Sequence, residues 1–313
     1  MAGGLLMRNT AVLAKIETTY GTDAAPAGAT DAILVSDVTA RPMDMQTVDR
    51  ALLRPFLGNS EQLPTQIYNG VEFSVELAGS GTAGTAPPIG KLLRGCGFAE
   101  TVTPSTSVVY APVSTGFESL TLHVNIDGVL HKSTGARGTV SFSFKNNDRP
   151  MARFNFTGLF VPVVDAALPA VTLTAWKKPL PCNRSNTPTF NLHGYAAMLD
   201  DLQIDMANSV VYRGLIGGAE YVRITDRKPA GSVLMEAVKV ADKDWWTSIQ
   251  GAANGALEMV HGLTGGNIVE VDAPGVQLYN PSYQEQDGIL MLSAQMSVNP
   301  GASGNDELVL TFR

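Results

Sequence analysis

Cysteine, histidine, aromatic residues and charge are all scarce in this chain. Two cysteines, Cys96 and Cys182, in 313 residues are too few for the disulfide framework of a secreted module, and two free, buried thiols are expected. The four histidines, His123, His131, His193 and His261, stand singly, without a second His or Cys at ligand spacing, so they read as structural or surface residues and no metal or cofactor is expected. Aromatics at 7% leave no cluster of the kind that stacks on sugars, which argues against a carbohydrate-binding sandwich. Charged residues make up only 16%, with 22 basic against 29 acidic and a net charge of -7. No basic run is long enough to grip phosphates, so specific nucleic-acid binding is not expected.

Other signatures are missing too. No stretch of about 18 apolar residues occurs, which leaves no candidate membrane helix. Met1–Thr10 has neither the length nor the cleavage pattern of a signal peptide, so the chain is expected to remain in the cytoplasm where it is made. Gly84 to Lys91 has the wrong spacing for a phosphate loop and places Leu92 where a Ser or Thr would hold magnesium. No G-x-S-x-G elbow and no triad-like grouping is present, and a catalytic role is not expected. Asp200-Asp201 and Asp242 with Asp244 read as turn and helix-dipole partners.

What the chain has in quantity is turn residues and short apolar alternation. Hydrophobic residues reach 44%, with 31 glycines and 18 prolines, which suits a folded, turn-rich subunit whose surface is partly covered by other protein. From Asp31 onward, runs such as Val71–Leu77, Leu120–Ile126, Thr139–Phe144 and Ala152–Phe156 put alternate side chains on one face, as strands do. Asp127-Gly128 between apolar runs predicts a hairpin turn. Helices are expected only at Pro87–Cys96 and Ala241–Gln250, the second with Trp245 and Ile249 inward.

The order of elements repeats. A segment from Val48, a strand at Val71, a helix near Lys91 and strands from Leu120 and Thr139 are followed by a counterpart series. That series is a segment from Val211, a strand at Ser232–Val238, a helix at Asp244 and strands at Gly255–His261, Asn267–Val271, Val276–Tyr279 and Ile289–Val298. The expected architecture is mainly β, with two sandwich or barrel domains, each with a short flanking α-helix. An N-terminal arm (1–30) precedes a first domain (31–165), a Pro-rich linker (166–188, within the strand-poor passage Val161–Pro188) and a second domain (189–313).

Several blocks resemble the tail tube (major tail) proteins of long, non-contractile-tailed (siphovirus-like) bacteriophages. They include Ala11–Asp23 with Pro26, Gly28 and Ala32–Val35, then Leu53–Gly58, Glu76–Gly81 and Leu92–Phe98. Further blocks are Gly128–Lys132, Gly135–Val140, Ile224–Pro229 and Gly304–Leu308. The resemblance implies a non-enzymatic virion protein whose sheets join side to side into rings, the rings stacking into a hollow tube that phage DNA crosses during ejection without specific binding. It also implies assembly in the bacterial cytoplasm and contact with tape measure, terminator and baseplate proteins. Another phage ring protein, a terminator or a contractile-tail inner tube, is the nearest alternative. Many tube proteins with one such domain form six-membered rings; a duplicated chain needs three subunits for a pseudo-sixfold ring, whereas an unduplicated one needs a hexamer.

Two segments, Gln46–Tyr68 and Ser209–Lys228, read as loop-like yet apolar and are the candidates for inter-ring stacking. The residues expected to act there are Arg50, Leu52, Leu53, Arg54, Phe56, Leu57, Arg213, Leu215, Ile216 and Arg227, the arginines pairing with acids across the joint. Glu72, Glu76 and Glu236 are candidates for the lumen wall, since an acidic or neutral bore lets a polyanion slide. Met1–Thr30 is expected to be loose until assembly orders it.

Overall fold

A computed structural model describes residues 4–313. The first part of the chain forms β1 (Thr10–Ile16), β2 (Ala32–Ile33), β3 (Ser36–Asp49), β4 (Gln62–Glu76), helix α1 (Gly90–Gly95), β5 (Phe98–Thr103), β6 (Ser107–Pro112), β7 (Leu120–Ile126), β8 (Val129–Lys145), β9 (Met151–Phe160) and β10 (Val164–Asp165). The second part forms β11 (Thr189–Leu192), β12 (Tyr195–Ala196), β13 (Leu199–Asp205), β14 (Asn208–Arg213), β15 (Tyr221–Arg227), β16 (Ala230–Glu236), helix α2 (Trp245–Gln250), β17 (Asn254–His261), β18 (Val269–Gln286), β19 (Ile289–Asn299) and β20 (Val309–Phe312). The protein is mainly β, and all strands but β14 and β15 belong to one hydrogen-bonded network.

Local chemistry accounts for the elements. The β7–β8 hairpin turns at Asp127 and Gly128, both at positive φ (48° and 99°), the conformation a tight hairpin requires. Helix α1 begins just after Pro87-Pro88, and Gly90 is obligatory because an added Cβ would fall 2.0 Å from the Tyr110 hydroxyl. Helix α2 is capped by Asp244, whose carboxylate accepts from the Thr247 amide at 2.9 Å and its hydroxyl at 2.6 Å. Trp245 is buried and Ile249 packs against the core, as their spacing predicts.

Antiparallel pairing runs β3–β4–β9–β8–β13–β16–β19–β18 without interruption. Alternation then sorts the side chains of this eight-stranded run. One face carries Phe73, Phe142, Phe154, Phe156, Ile204 and Met235, all buried, each contributing about 1.5–3 kcal/mol through burial. Phe154 and Phe156 stack at 5.9 Å. The opposite face carries Ser141, Ser143, Glu72, Glu76, Gln203, Ser232 and Gln295 at half-buried or exposed positions.

The pairings fall into two matching series. β4, β9, β8, β7 and β1 pair in that order, and so do β16, β19, β18, β17 and β11. The helix falls after β4 in one series and after β16 in the other. The registers match as well: Glu76 faces Met151 and Val75 faces Ala152, while Glu236 faces Met291 and Met235 faces Leu292.

Three expectations are corrected. Met1–Thr30 is not loose from Thr10 on: β1 pairs along β7 with Val12, Leu13 and Ala14 buried, and Glu17 accepts hydrogen bonds from Ser119, Thr121 and the Gly135 amide. The same expectation for Met1–Gly3 lies outside the described residues. The segments read as loops are mostly hairpins: in the first, the residues from Asp44 to Gln66 pair only with each other and leave no burial pattern to mark them as strands, and in the second the only buried strand residues are Asn208, Val222 and Ile224. β3 and β4 pair as far as Asp49–Gln62, leaving only 50–61 as loop, and β14–β15 leaves 214–220. Lastly, Asn267–Val271 and Val276–Tyr279 form one strand, β18, because the shift in pairing between Gly255 and Leu257 absorbs Pro274 as a bulge.

The Pro-rich passage has only the short β10, and it is tied down along its length. Thr172 donates to the Gly28 carbonyl at 3.0 Å, the Trp176 indole to Ala32 at 3.0 Å and the Cys182 amide to Asp148 at 2.8 Å.

Candidate assembly surfaces

A strand edge that ends unpaired presents backbone N–H and C=O groups ready for another strand. The eight-stranded run has two such ends. β3 pairs with β4 on one edge only. At the other end, β18 is paired with β17 along Val269–Gln277, but Tyr279–Gln286 pair with β19 alone. Val38 and Ala40 are half-buried, and Tyr279, Tyr283, Ile289 and Leu290 are exposed.

The hairpin arms are the second surface. In the first arm, the continuation of β3 and β4, Met43, Met45 and Val48 are exposed, and at its tip Leu53 and Leu57 are fully exposed, with Leu52 and Phe56 also open. Arg50 pairs with Glu61 at 3.2 Å across the base of the loop, and Arg54 lies exposed within it. In the second arm, β14–β15, Leu215 and Ile216 are exposed at the tip, and Arg213 closes the strand pair opposite Tyr221. Arg227 is different. Its guanidinium bonds to Glu307 and donates to the Val113 carbonyl at 2.9 Å, with both side chains of the ion pair nearly buried. It is thus committed within its own chain, holding the root of the second arm.

That root is seated on the first half of the molecule. Arg137 of β8 donates to the Val222 carbonyl at 2.6 Å and to Phe117 and Glu118. The Val222 amide donates to the Tyr20 hydroxyl at 2.6 Å, and Asn208 donates to the Cys96 and Gly138 carbonyls. Tyr212 stacks on Tyr68 at 5.2 Å. Burial of Tyr20 raises its pKa, which keeps it a neutral donor and acceptor.

The polar face of the eight-stranded run holds all three wall candidates, with charges of both signs. Glu72 pairs with Arg153 at 3.0 Å and Arg41 at 3.7 Å, and Glu76 with Arg149 at 2.8 Å; Glu236 lies half-buried on β16. Composition alone did not reveal these arginine partners.

Chemistry elsewhere is sparse. Among the described residues, no group of three or more His, Cys, Asp or Glu side chains converges to hold a metal. A cleft of about 370 Å³ beside Phe144, Cys182, Phe190 and Met259 has a buried thiol pushed up to about 11 by burial, with Asp148 adding to it; at neutral pH that thiol is protonated and a poor nucleophile. Three of the histidines are tied into the fold: His123 meets Asp23 at 3.0 Å, His193 reaches the Val276 carbonyl at 2.7 Å, and His261 bridges Thr187 and the Leu180 carbonyl. No described helix is long and apolar enough to cross a membrane.

Open edges, exposed apolar hairpins and a tied-down interior define a structural β subunit shaped to join others. A family model described as phage tail tube protein matches residues 7–309, and the chain belongs to that family. No match was found among the curated proteins. Family membership places the chain in the phage tail as a structural component that self-assembles into a tube.

Proposed function

We propose that this chain forms homotrimeric rings that stack into the hollow tail tube of a siphovirus-like phage, the conduit through which DNA is ejected. The observation that carries this reading is the pairing of two like strand series inside one chain, each with its helix and arm at the same place. We read them as two copies of one domain, 31–165 completed by β1 from the segment before it and 189–313, joined by the anchored passage 166–188. Three chains then supply six copies, and a heterologous contact closes at that count when each copy turns by one sixth of a revolution.

Three eight-stranded runs close a barrel of about 24 strands, larger than the 16–18 strands that already leave an aqueous channel. With the apolar face packed against the outer strands and helices, the bore takes the polar face. Its hydroxyls and amides, and glutamates such as Glu72 and Glu76 balanced by arginines, give a wall without a continuous cationic track to retain a polyanion. The arm tips with Leu52, Leu53, Phe56 and Leu57, and with Leu215 and Ile216, are assigned to the next ring, where each apolar side chain gains about 1.5–3 kcal/mol on burial. Arg50, Arg54 and Arg213 stand beside them for pairing; Arg227 stays in the subunit. Tape measure, terminator and baseplate proteins are the partners at the ends of such a tube.

The test is electron microscopy of purified wild-type protein and of a variant with residues 50–61 replaced by a short turn. Tubes from the first and rings that fail to lengthen from the second are expected. Normal tubes from the variant contradict the role of the tip, and a wild-type protein that stays monomeric at high concentration contradicts the function.

A further inference from the structure

The contact between the two halves of the chain is itself a strand pairing. On one edge, β8 serves two neighbours in succession, β7 along Val129–Ala136 and β13 along Ser141–Lys145. On its other edge lie β10 and β9. β18 repeats this arrangement strand for strand, with β17 on the first edge and β20 and β19 on the second. The one neighbour it lacks is the equivalent of β13, beside Tyr279–Gln286.

The equivalent of β13 exists, at the far end of the same run. β13 pairs with β16 as β3 pairs with β4, and each continues past its sheet portion into an arm. β13 has its second edge occupied by β8, whereas the second edge of β3 has no partner among the described residues. The chain therefore holds a filled seat, an identical seat left empty, and an unused copy of the element that fills it. Geometry keeps the two apart, since they lie at opposite ends of an eight-stranded run.

Resting on the tube reading above, we infer that β3 of one subunit pairs antiparallel with the end of β18 of the next, as β13 pairs with β8 inside the chain. The register follows from the equivalences. Gln203 faces Ser143 and Ile204 faces Phe142 in the internal joint. Thr39 and Ala40 occupy the places of Gln203 and Ile204, through their partners Glu72 and Val71 against Ser232 and Gly231. Gln284 and Tyr283 occupy the places of Ser143 and Phe142, through Met291 and Leu292 against Met151 and Ala152. The joint between subunits thus sets Thr39 opposite Gln284, Ala40 opposite Tyr283 and Arg41 opposite Ser282. The half-buried Ala40 meets the exposed ring of Tyr283 on the apolar side, and Thr39 meets Gln284 on the polar side, so the two-face alternation continues across the boundary. The same step carries the first arm onto the second half of the neighbour, as the second arm lies on the first half of its own chain.

Directly opposed residues in an antiparallel pair lie about 4.5–5.5 Å apart at Cα, within reach of a disulfide, and the closer, non-hydrogen-bonded geometry falls on one of any two successive pairs. The test therefore uses two double variants, Thr39→Cys with Gln284→Cys and Ala40→Cys with Tyr283→Cys. The control is Thr101→Cys with Gln284→Cys. Assembled protein is oxidised and run without reductant, and wild type is imaged in parallel. One of the first two variants is expected to convert mostly to a species of three chains, the control remaining a single chain. Tubes or rings with no cross-link in either variant overturn the joint and leave the tube reading intact. Cross-linked ladders longer than three chains overturn trimeric closure, and a wild type that never assembles overturns both.

Discussion

The two arms of this protein differ less in sequence than in what lies beneath them. At the root of the second arm, Met206 and Val222 are buried, Asn208 reaches the Cys96 and Gly138 carbonyls, and Arg137 holds the Val222 carbonyl. Over the corresponding stretch of the first, Met43, Met45 and Val48 lie open. Both arms carry valine and tyrosine in paired strands, with methionine in the first and just before the second, so residue preference does not separate them. The difference is that the chain supplies a seat for one arm and none for the other. Exposed apolar residues on a hairpin whose twin has a buried root are what the proposed contact with another copy would cover.

The comparison breaks most visibly at positions that match in the two joints. Phe142→Ala, inside the filled joint, is expected to lose about 3–5 kcal/mol of stability. Tyr283→Ala, at the matching place in the open one, is expected to cost only about 0.5–1.5 kcal/mol in the unassembled protein, the worth of its edge-on contact with Trp246, while impairing ring formation. Denaturant unfolding of the monomer together with sedimentation of the assembled form separates the two; equal destabilisation would dissolve the equivalence. Glu307→Ala, which strands the Arg227 guanidinium at the root of the seated arm, is expected to cost about 3–5 kcal/mol in the same unfolding measurement. A change below about 1 kcal/mol would show that the ion pair does not hold the arm. Leu53→Ser with Leu57→Ser, at the open tip, is expected to shift monomer stability by less than about 0.5 kcal/mol and to shorten tubes seen by microscopy.

The smallest effect is on pH. Burial lowers the pKa of His123, His131, His193 and His261 below the ordinary histidine value. A group whose folded pKa is depressed binds its proton more readily in the unfolded chain. Stability is therefore full above about pH 6.5 and declines as the pH falls from there through the folded values. His261 keeps its contacts to the Leu180 carbonyl and the Thr187 hydroxyl in either protonation state, since a hydroxyl accepts as well as donates, so its contribution comes from burial of the charge. Thermal melts from pH 8 to pH 5 are expected to show a monotonic fall, reduced in His261→Gln. A rise in stability on acidification would reverse the sign of the argument.

Much of the fold was legible in the sequence wherever one face of a strand meets the core. Val71–Leu77 and Ala152–Phe156 alternate because alternate residues are buried, Leu120–Ile126 alternates in chemistry although both of its faces are covered, and the Asp244 cap and Asp127-Gly128 turn are local chemistry. The first arm was not legible as strands, because between Asp44 and Gln66 neither face meets the core and no period is imposed; in the second only the short alternation at Val222 and Ile224 marks a strand. The joining edge of β3 was hidden for the opposite reason. Thr39 sits in an alternating run like any interior strand, and nothing in such a run tells whether its second edge is occupied, while Gln284 lies past Pro281 in a polar stretch without alternation. The arm tips, with Leu53, Leu57 and Ile216 outside, were readable from composition. Arg227 was not, since its partner Glu307 lies far along the chain.

The most direct test of the account is a cryo-electron microscopy reconstruction of the assembled protein. The account expects rings of six like domains made by three chains, with β3 of each chain hydrogen-bonded to the end of β18 of the next in the register Thr39–Gln284. A ring of six chains, or a map in which both of those edges face solvent, would contradict it.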